Sequence, residues 1–281
     1  MSQMPDIDSL LEADEKNVRE MQKLFADYQG LPELLNEAVV LYKTCNRAFG
    51  QALSQEVSSL PHDLPLDKGL IVAEFMAKHQ RGLLFTRIGV LYGTAVADLL
   101  RMRLTAPLGY VRLQCESIAL LKLMSEDSSI VQQWVNIQTD KDGTAFYRKY
   151  QKRVMEILRT YNLSDTYNQT SGSALHSRFI GLAQGYKSAR YEDGLRVIQE
   201  HRINVQEFDP ESPHRFMMRV IFIVLRVQAL ILASLKDAIP EISDKLLLET
   251  RIPQFIERVN RFLELARVHF AQYFPDVTKK R

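Results

Sequence analysis

At 281 residues the chain can hold one large domain or two small ones, and with 46% hydrophobic and 25% charged residues it carries too much apolar material to stay disordered. The 36 basic and 34 acidic residues leave a net charge of +2, so bulk electrostatics neither repel nor gather nucleic acid, and any phosphate site must come from a local cluster. Cys45 and Cys115 are the only cysteines, both inside helical apolar patterns and without metal-ligand spacing, which argues against a disulfide scaffold or a metal site and for reduced thiols in a cytosol.

In chain order, the stretch "MSQMPDIDSLLEADEKNVREM" has no basic region followed by an apolar run, so no secretory signal is expected. Ile7, Leu11, Val18, Met21, Phe25 and Tyr28 recur at three- and four-residue intervals, with Ser9 and Glu12 spaced as a capping box, and predict a first amphipathic helix that ends at Gly30. Pro32 opens a second, whose stripe runs through Leu35, Val39, Tyr42, Cys45, Phe49 and Leu53. "SSLPHDLPLDKG" is a connector. Leu70 to Leu104 reads as one long helix with Gly82, Gly89 and Gly93 as candidate bends, and Pro107 starts the helix containing "YVRLQCESIALLKLM".

Ser128 to Ile137 and Thr144 to Thr160 read as more exposed helices, the second bearing "YRKYQKRVMEILR" as a solvated basic face. "LSDTYNQTSGSALHSRFIGLAQG" starts polar and turns helical, and Tyr191 to Phe208 is the one stretch whose alternation suggests extended chain. Helices from Pro213 to Lys236, near Glu241 to Glu249, and from Pro253 to Phe270 complete an all-α, single multi-helix bundle. The expected organisation is a helical hairpin over residues 1–60 packed on a main bundle over 61–281, with 190–212 as an irregular or extended insertion.

Leu83 to Leu100 and Phe216 to Leu235 approach transmembrane hydrophobicity, but they carry Arg87 with Asp98 and Arg219 with Arg226. Each such charge costs about 2.5–3.5 kcal/mol near a bilayer centre, so burial within a cytoplasmic protein is expected, without stable membrane insertion. Gly89 and Gly93 then serve close helix crossing.

The charges inside apolar helices are the candidate site. On a helical projection Glu116 shares an arc with Leu113, Leu120, Leu123 and Met124, and Arg112 lies at its edge. A lone buried carboxylate needs a partner, so Glu116 is expected to pair with Arg112 or with an arginine from another helix. Arg219 and Arg226, seven residues apart on one face, are the available ones. The expected network joins the Pro107 helix to the Pro213 helix. It serves either to set helix register or, through surplus guanidinium groups, to hold a phosphate-bearing ligand such as RNA or a nucleotide.

The second constellation, "YNQTSGSALHS", holds Tyr167, Ser171, Ser173, His176 and Ser177. Ser173 and His176 fall within one helical turn, a spacing that suits a nucleophile with its base or a hydroxyl that caps the helix and orients the ring. His176 is the candidate for acid–base chemistry, with Tyr167 beside it as a ligand contact. No glycine-rich phosphate loop, H-E-x-x-H or G-x-S-x-G is present, so no cofactor is expected and no intact catalytic motif supports an enzyme assignment.

Taken together, "RLQCESIALLKLMSEDSS" and the downstream "YNQTSGSALHS" resemble helical bacterial proteins of the wider HEPN-like group, which includes abortive-infection proteins. The resemblance spans Leu83 to Ser234. It implies a helical bundle, frequently dimeric, that binds or cleaves RNA in defence or stress settings. The nuclease members share an Arg, a polar residue next to it and a His further on; here "RVIQEH", Arg196 to His201, has Val197 in the polar position. The alternative expectation, from a different class, is a non-catalytic interaction or scaffold protein in which the Arg/Glu network only locks helix register.

Overall fold

The computed structural model describes residues 7–28, 30–59, 69–101, 103, 106–170 and 212–271. Among these the fold is all-α, as the sequence predicts: α1 (Ile7–Asp27), α2 (Leu31–Ser58), α3 (Gly69–Leu100), α4 (Ala106–Glu126), α5 (Ser129–Val135), α6 (Asp140–Thr160), α7 (Ser164–Gln169), α8 (Ser212–Ala238) and α9 (Ile252–Ala271). The expected extended insertion over 190–212 lies almost wholly outside the described residues. The same holds for Ser173, His176 and the Arg196 to His201 segment.

Helix α4 is the centre of the bundle. It lies along α3 and α8 and is covered further by α5, α6 and α7, while α2 packs on α3 and α9 closes against α8 and α2. Twelve residues of α4 are buried, among them Val111, Cys115, Ile118, Leu121 and Met124. Both cysteines are core fillers, and burial pushes each thiol up to about 12, far from reactivity at neutral pH.

The core has one polar seam. Gln114 of α4 and Gln228 of α8, both fully buried, exchange amide hydrogen bonds, Gln114 Nε2 to Gln228 Oε1 at 3.2 Å and Gln228 Nε2 to Gln114 Oε1 at 3.1 Å. The second amide proton of Gln114 goes to the Ile88 carbonyl of α3 at 2.9 Å, and that of Gln228 to the Val224 carbonyl at 3.2 Å. Tyr42 of α2 donates its hydroxyl to Gln228 Oε1 at 2.7 Å. Four helices thus meet in one network with every donor and acceptor used.

Two glycines let α2 approach α3. A Cβ added at Gly82 would stand 2.5 Å from Cε1 of the buried Phe49 ring, and one at Gly89 would stand 3.2 Å from Cβ of Tyr42. A Cβ at Gly93 would meet nothing within 4 Å. The close crossing therefore uses Gly82 and Gly89, two turns apart, and not the Gly89/Gly93 pair that the sequence suggests.

Local chemistry moves three boundaries. Helix α6 begins at Asp140 instead of Thr144, because Thr139 caps it: its Oγ1 accepts from the Asp142 amide at 3.2 Å while Asp142 Oδ2 accepts from the Thr139 amide at 3.1 Å. Helix α3 stops at Leu100 rather than Leu104. The separate short helix expected near Glu241 to Glu249 is replaced by a π turn, Leu247–Arg251, leading straight into α9. Pro253 brings no N–H to the ladder, and the turn before it widens.

Two outcomes follow from this packing. In urea unfolding, Gly82→Ala should lose about 1–2 kcal/mol through overpacking, whereas Gly93→Ala should gain up to about 1 kcal/mol from helix propensity. Gln114→Met should cost about 2–4 kcal/mol by stranding its partners, and the triple change Tyr42→Phe, Gln114→Met, Gln228→Met should recover part of that loss. Additive losses across that cycle would mean the four groups do not act as a unit.

Candidate functional site

The outer side of α4 meets α6 and α7 at a cluster of four side chains. Arg112 and Glu116, one turn apart, pair at 3.3 Å between Nε and Oε1. Glu116 also accepts two phenol hydroxyls, Tyr147 of α6 on Oε2 and Tyr167 of α7 on Oε1, each at 2.9 Å. Arg112 reaches over the same Tyr167. Its Nη1 donates to the backbone carbonyl at 3.0 Å, its Nη2 to the hydroxyl at 2.6 Å, and its guanidinium carbon stands 3.9 Å from the ring centroid.

The chain reversal after α6 is what delivers Tyr167. Asn162 adopts a left-handed conformation with φ of 58°, the Asn162 amide bonds the Arg159 carbonyl at 3.0 Å, and the Leu163 amide bonds Leu158 O at 2.7 Å. This is a Schellman closure with asparagine in the usual glycine position, sealed by the buried Leu158 and Leu163. Helix α7 then starts at Ser164 and puts Tyr167 one turn later against α4.

The cluster is partly dry, with side-chain exposures of 14% for Glu116 and 29% for Arg112. Burial, followed by the Glu116 charge, pushes the Tyr167 hydroxyl up to about 12. The same two causes raise Tyr147 further, with the Arg87 guanidinium pulling the other way. Both phenols therefore stay protonated at neutral pH and act as donors to a carboxylate that already has its cation.

The site residues expected from the sequence divide as follows. Arg112, Glu116 and Tyr167 come together, with Tyr147 as a fourth member that the sequence reading missed. Its signal was available, since Tyr147 neighbours the core-facing Phe146 and Tyr150 of α6, but nothing in the sequence says which α4 residue it meets. Among the described side chains Glu116 links α4 to α6 and α7 and meets no residue of α8. Arg226 is exposed to solvent, and the side chain of Arg219 lies outside the described residues, as do Ser173 and His176. The α4–α8 junction is made instead by the neutral Gln114 and Gln228, polar residues set in apolar runs.

A second polar junction ties the far ends of α4, α6 and α8. Asp237 accepts from Lys122 Nζ and from the Tyr161 hydroxyl, both at 2.6 Å, and these two hydrogen bonds lower its carboxyl below the usual range. At the end of α8, Arg81 of α3 pairs with Glu241 and donates to the Ala238 carbonyl at 3.0 Å, a cation placed on a helix C-terminus. Among the described residues no group of His, Cys, Asp and Glu is arranged to hold a metal ion. No protein-family model, curated protein or solved structure matches the chain.

Removing the carboxylate tests the cluster directly. Glu116→Ala should cost about 2–4 kcal/mol, because it leaves Arg112 half-buried and two phenols without an acceptor. Glu116→Gln should cost less, and Tyr147→Phe about 1–2 kcal/mol. A Glu116→Ala variant with unchanged denaturant midpoint would show that the cluster carries no stability.

Proposed function

We propose that this chain is a helical-bundle interaction protein of HEPN-like type, in which the Arg112–Glu116 cluster clamps α7 to α4 and a phosphate-bearing partner, RNA foremost, is met outside that cluster. The carrying observation is that each guanidinium nitrogen of Arg112 already faces an acceptor: Nε faces Glu116, and Nη1 and Nη2 face Tyr167. Three of the five N–H donors of Arg112 are committed and its charge is already matched by Glu116 beside it, so an incoming phosphate would meet a neutralised cation and a like-charged carboxylate, which makes the cluster a poor anion site and a good fastener. The reading keeps the protein in the cytosol. Helix α3 is long and apolar enough over Ala77–Leu100 to cross a bilayer, but Arg81 within that span is already engaged with Glu241 and the end of α8.

The test separates fastening from binding. Parent, Arg112→Gln and Tyr167→Phe are each titrated with inorganic phosphate and with a mixed-sequence RNA, and each is melted. The clamp reading expects lower melting temperatures for both variants and RNA affinity unchanged once the folded fraction is taken into account. A folded Arg112→Gln that no longer binds RNA would make the cluster the ligand site. The same RNA pool, followed over time with His176→Ala and His201→Ala alongside, reports cleavage. Parent activity lost only with His176 assigns it the proton transfer at the 2′-hydroxyl or leaving oxygen, and loss only with His201 moves the chemistry to "RVIQEH".

A further inference from the structure

Helix α6 turns one side to the core and a row of cations to solvent. Phe146, Tyr150, Val154 and Leu158 form the buried side. At about 100° per residue Lys141, Arg148, Lys152 and Arg159 fall within an arc of about 40° on the opposite side. All four are exposed, and none has an ion pair or side-chain hydrogen bond among the described residues. Their neighbours on the flank are engaged: Lys149 donates to Gln133 at 2.7 Å and Arg153 pairs with Glu126 at 2.7 Å. Acidic groups on the helix are Asp140 and Asp142 in the first turn, the latter committed to the cap, and Glu156 at the edge of the row. The row runs about 27 Å from Lys141 to Arg159, with Arg148 and Lys152 about 6 Å apart along the axis.

We propose that this outer face of α6 is a docking surface for single-stranded RNA, held by its phosphate backbone without reading of bases. The proposal rests on the phosphate-bearing partner of the preceding section and places it on a named surface. Charge complementarity is the argument: a straight row of free cations matches a line of phosphates, and binding of this kind needs no pocket. Among the described residues the large hydrophobic side chains that stand exposed are Leu11, Val40, Leu83, Val90, Val135, Leu246 and Leu265, and none of them is on α6. A bilayer-seated helix needs an apolar face to insert, and a protein interface needs an apolar or aromatic centre; this face offers neither.

The experiment uses the full chain and a fluorescent mixed-sequence single-stranded RNA, with anisotropy read between about 30 and 200 mM salt. The parent should bind with a log–log salt slope of about −2 to −3, as expected for three or four phosphates neutralised on a single strand. Each of Arg148→Gln, Lys152→Gln and Arg159→Gln should flatten the slope by about 0.7, and the triple variant should lose about tenfold or more in affinity with its circular dichroism unchanged. A triple variant that binds like a parent with measurable affinity overturns the α6 assignment and leaves an RNA-binding protein with its surface elsewhere. A parent that binds no RNA even at the lowest salt overturns both this surface and the reading it rests on. Binding to phosphatidylserine vesicles and not to RNA would assign the face to a membrane and overturn it as well.

Discussion

The bundle depends on a single buried exchange, the pair of amides between Gln114 and Gln228. An apolar core of this size tolerates rotation and sliding of one helix against another, since hydrophobic contact has little direction. Two glutamines with no access to water remove that freedom, because any slip leaves several buried donors and acceptors unpaired at once. The pair fixes α4 against α8, the Ile88 carbonyl ties α3 into the same register, and Tyr42 brings in α2. Tyr92 adds a second tie between α3 and α2 through the Leu35 carbonyl at 2.8 Å. Once α4 is set in this way, the direction in which Arg112 and Glu116 point is decided.

That direction gives the charged cluster its character. It lies on the side of α4 away from the glutamine seam, in a layer half open to water, where an ion pair loses less solvation than it would in the core. The two phenols complete the coordination of the carboxylate, so opposite charges inside an apolar helix are accounted for by what they hold. Arg112 and Glu116 anchor a six-residue helix too short to be stable by itself. The charges left over stand at the surface, and α6 carries an aligned row of them.

The polar junctions share a pattern. Each joins elements distant in sequence: the buried Arg81 at the end of α8, which would be costly to strand, and the more exposed Asp237 between α4 and α6 and Asp14 of α1 on Arg103 at 2.9 Å, which add direction more than energy. The hydrophobic effect supplies most of the stability, and these bonds select one arrangement from the many that bury similar area.

Periodicity in the sequence determined that the described residues are helical, which residues form the buried stripe of α2, and that Cys45 and Cys115 are buried, because a 3.6-residue repeat is a local property; in α1 the same stripe holds for Met21 and Phe25 but not for the exposed Leu11. It also showed that Glu116 needs a partner, with Arg112 one turn away or an arginine of another helix on offer; that the partner is Arg112, and that Tyr167 joins them instead of standing with His176, came from the packing. Tertiary structure alone decided which helix each face meets. Arg226 lies in an apolar run yet faces solvent, Gly82 and not Gly93 meets α2, and the described α4–α8 hydrogen bonds are made by two glutamines. Helical spacing gives the angle of a side chain about its own axis, but the partner at that angle is set by how the axes pack, and that packing is a sum over residues far apart in the chain.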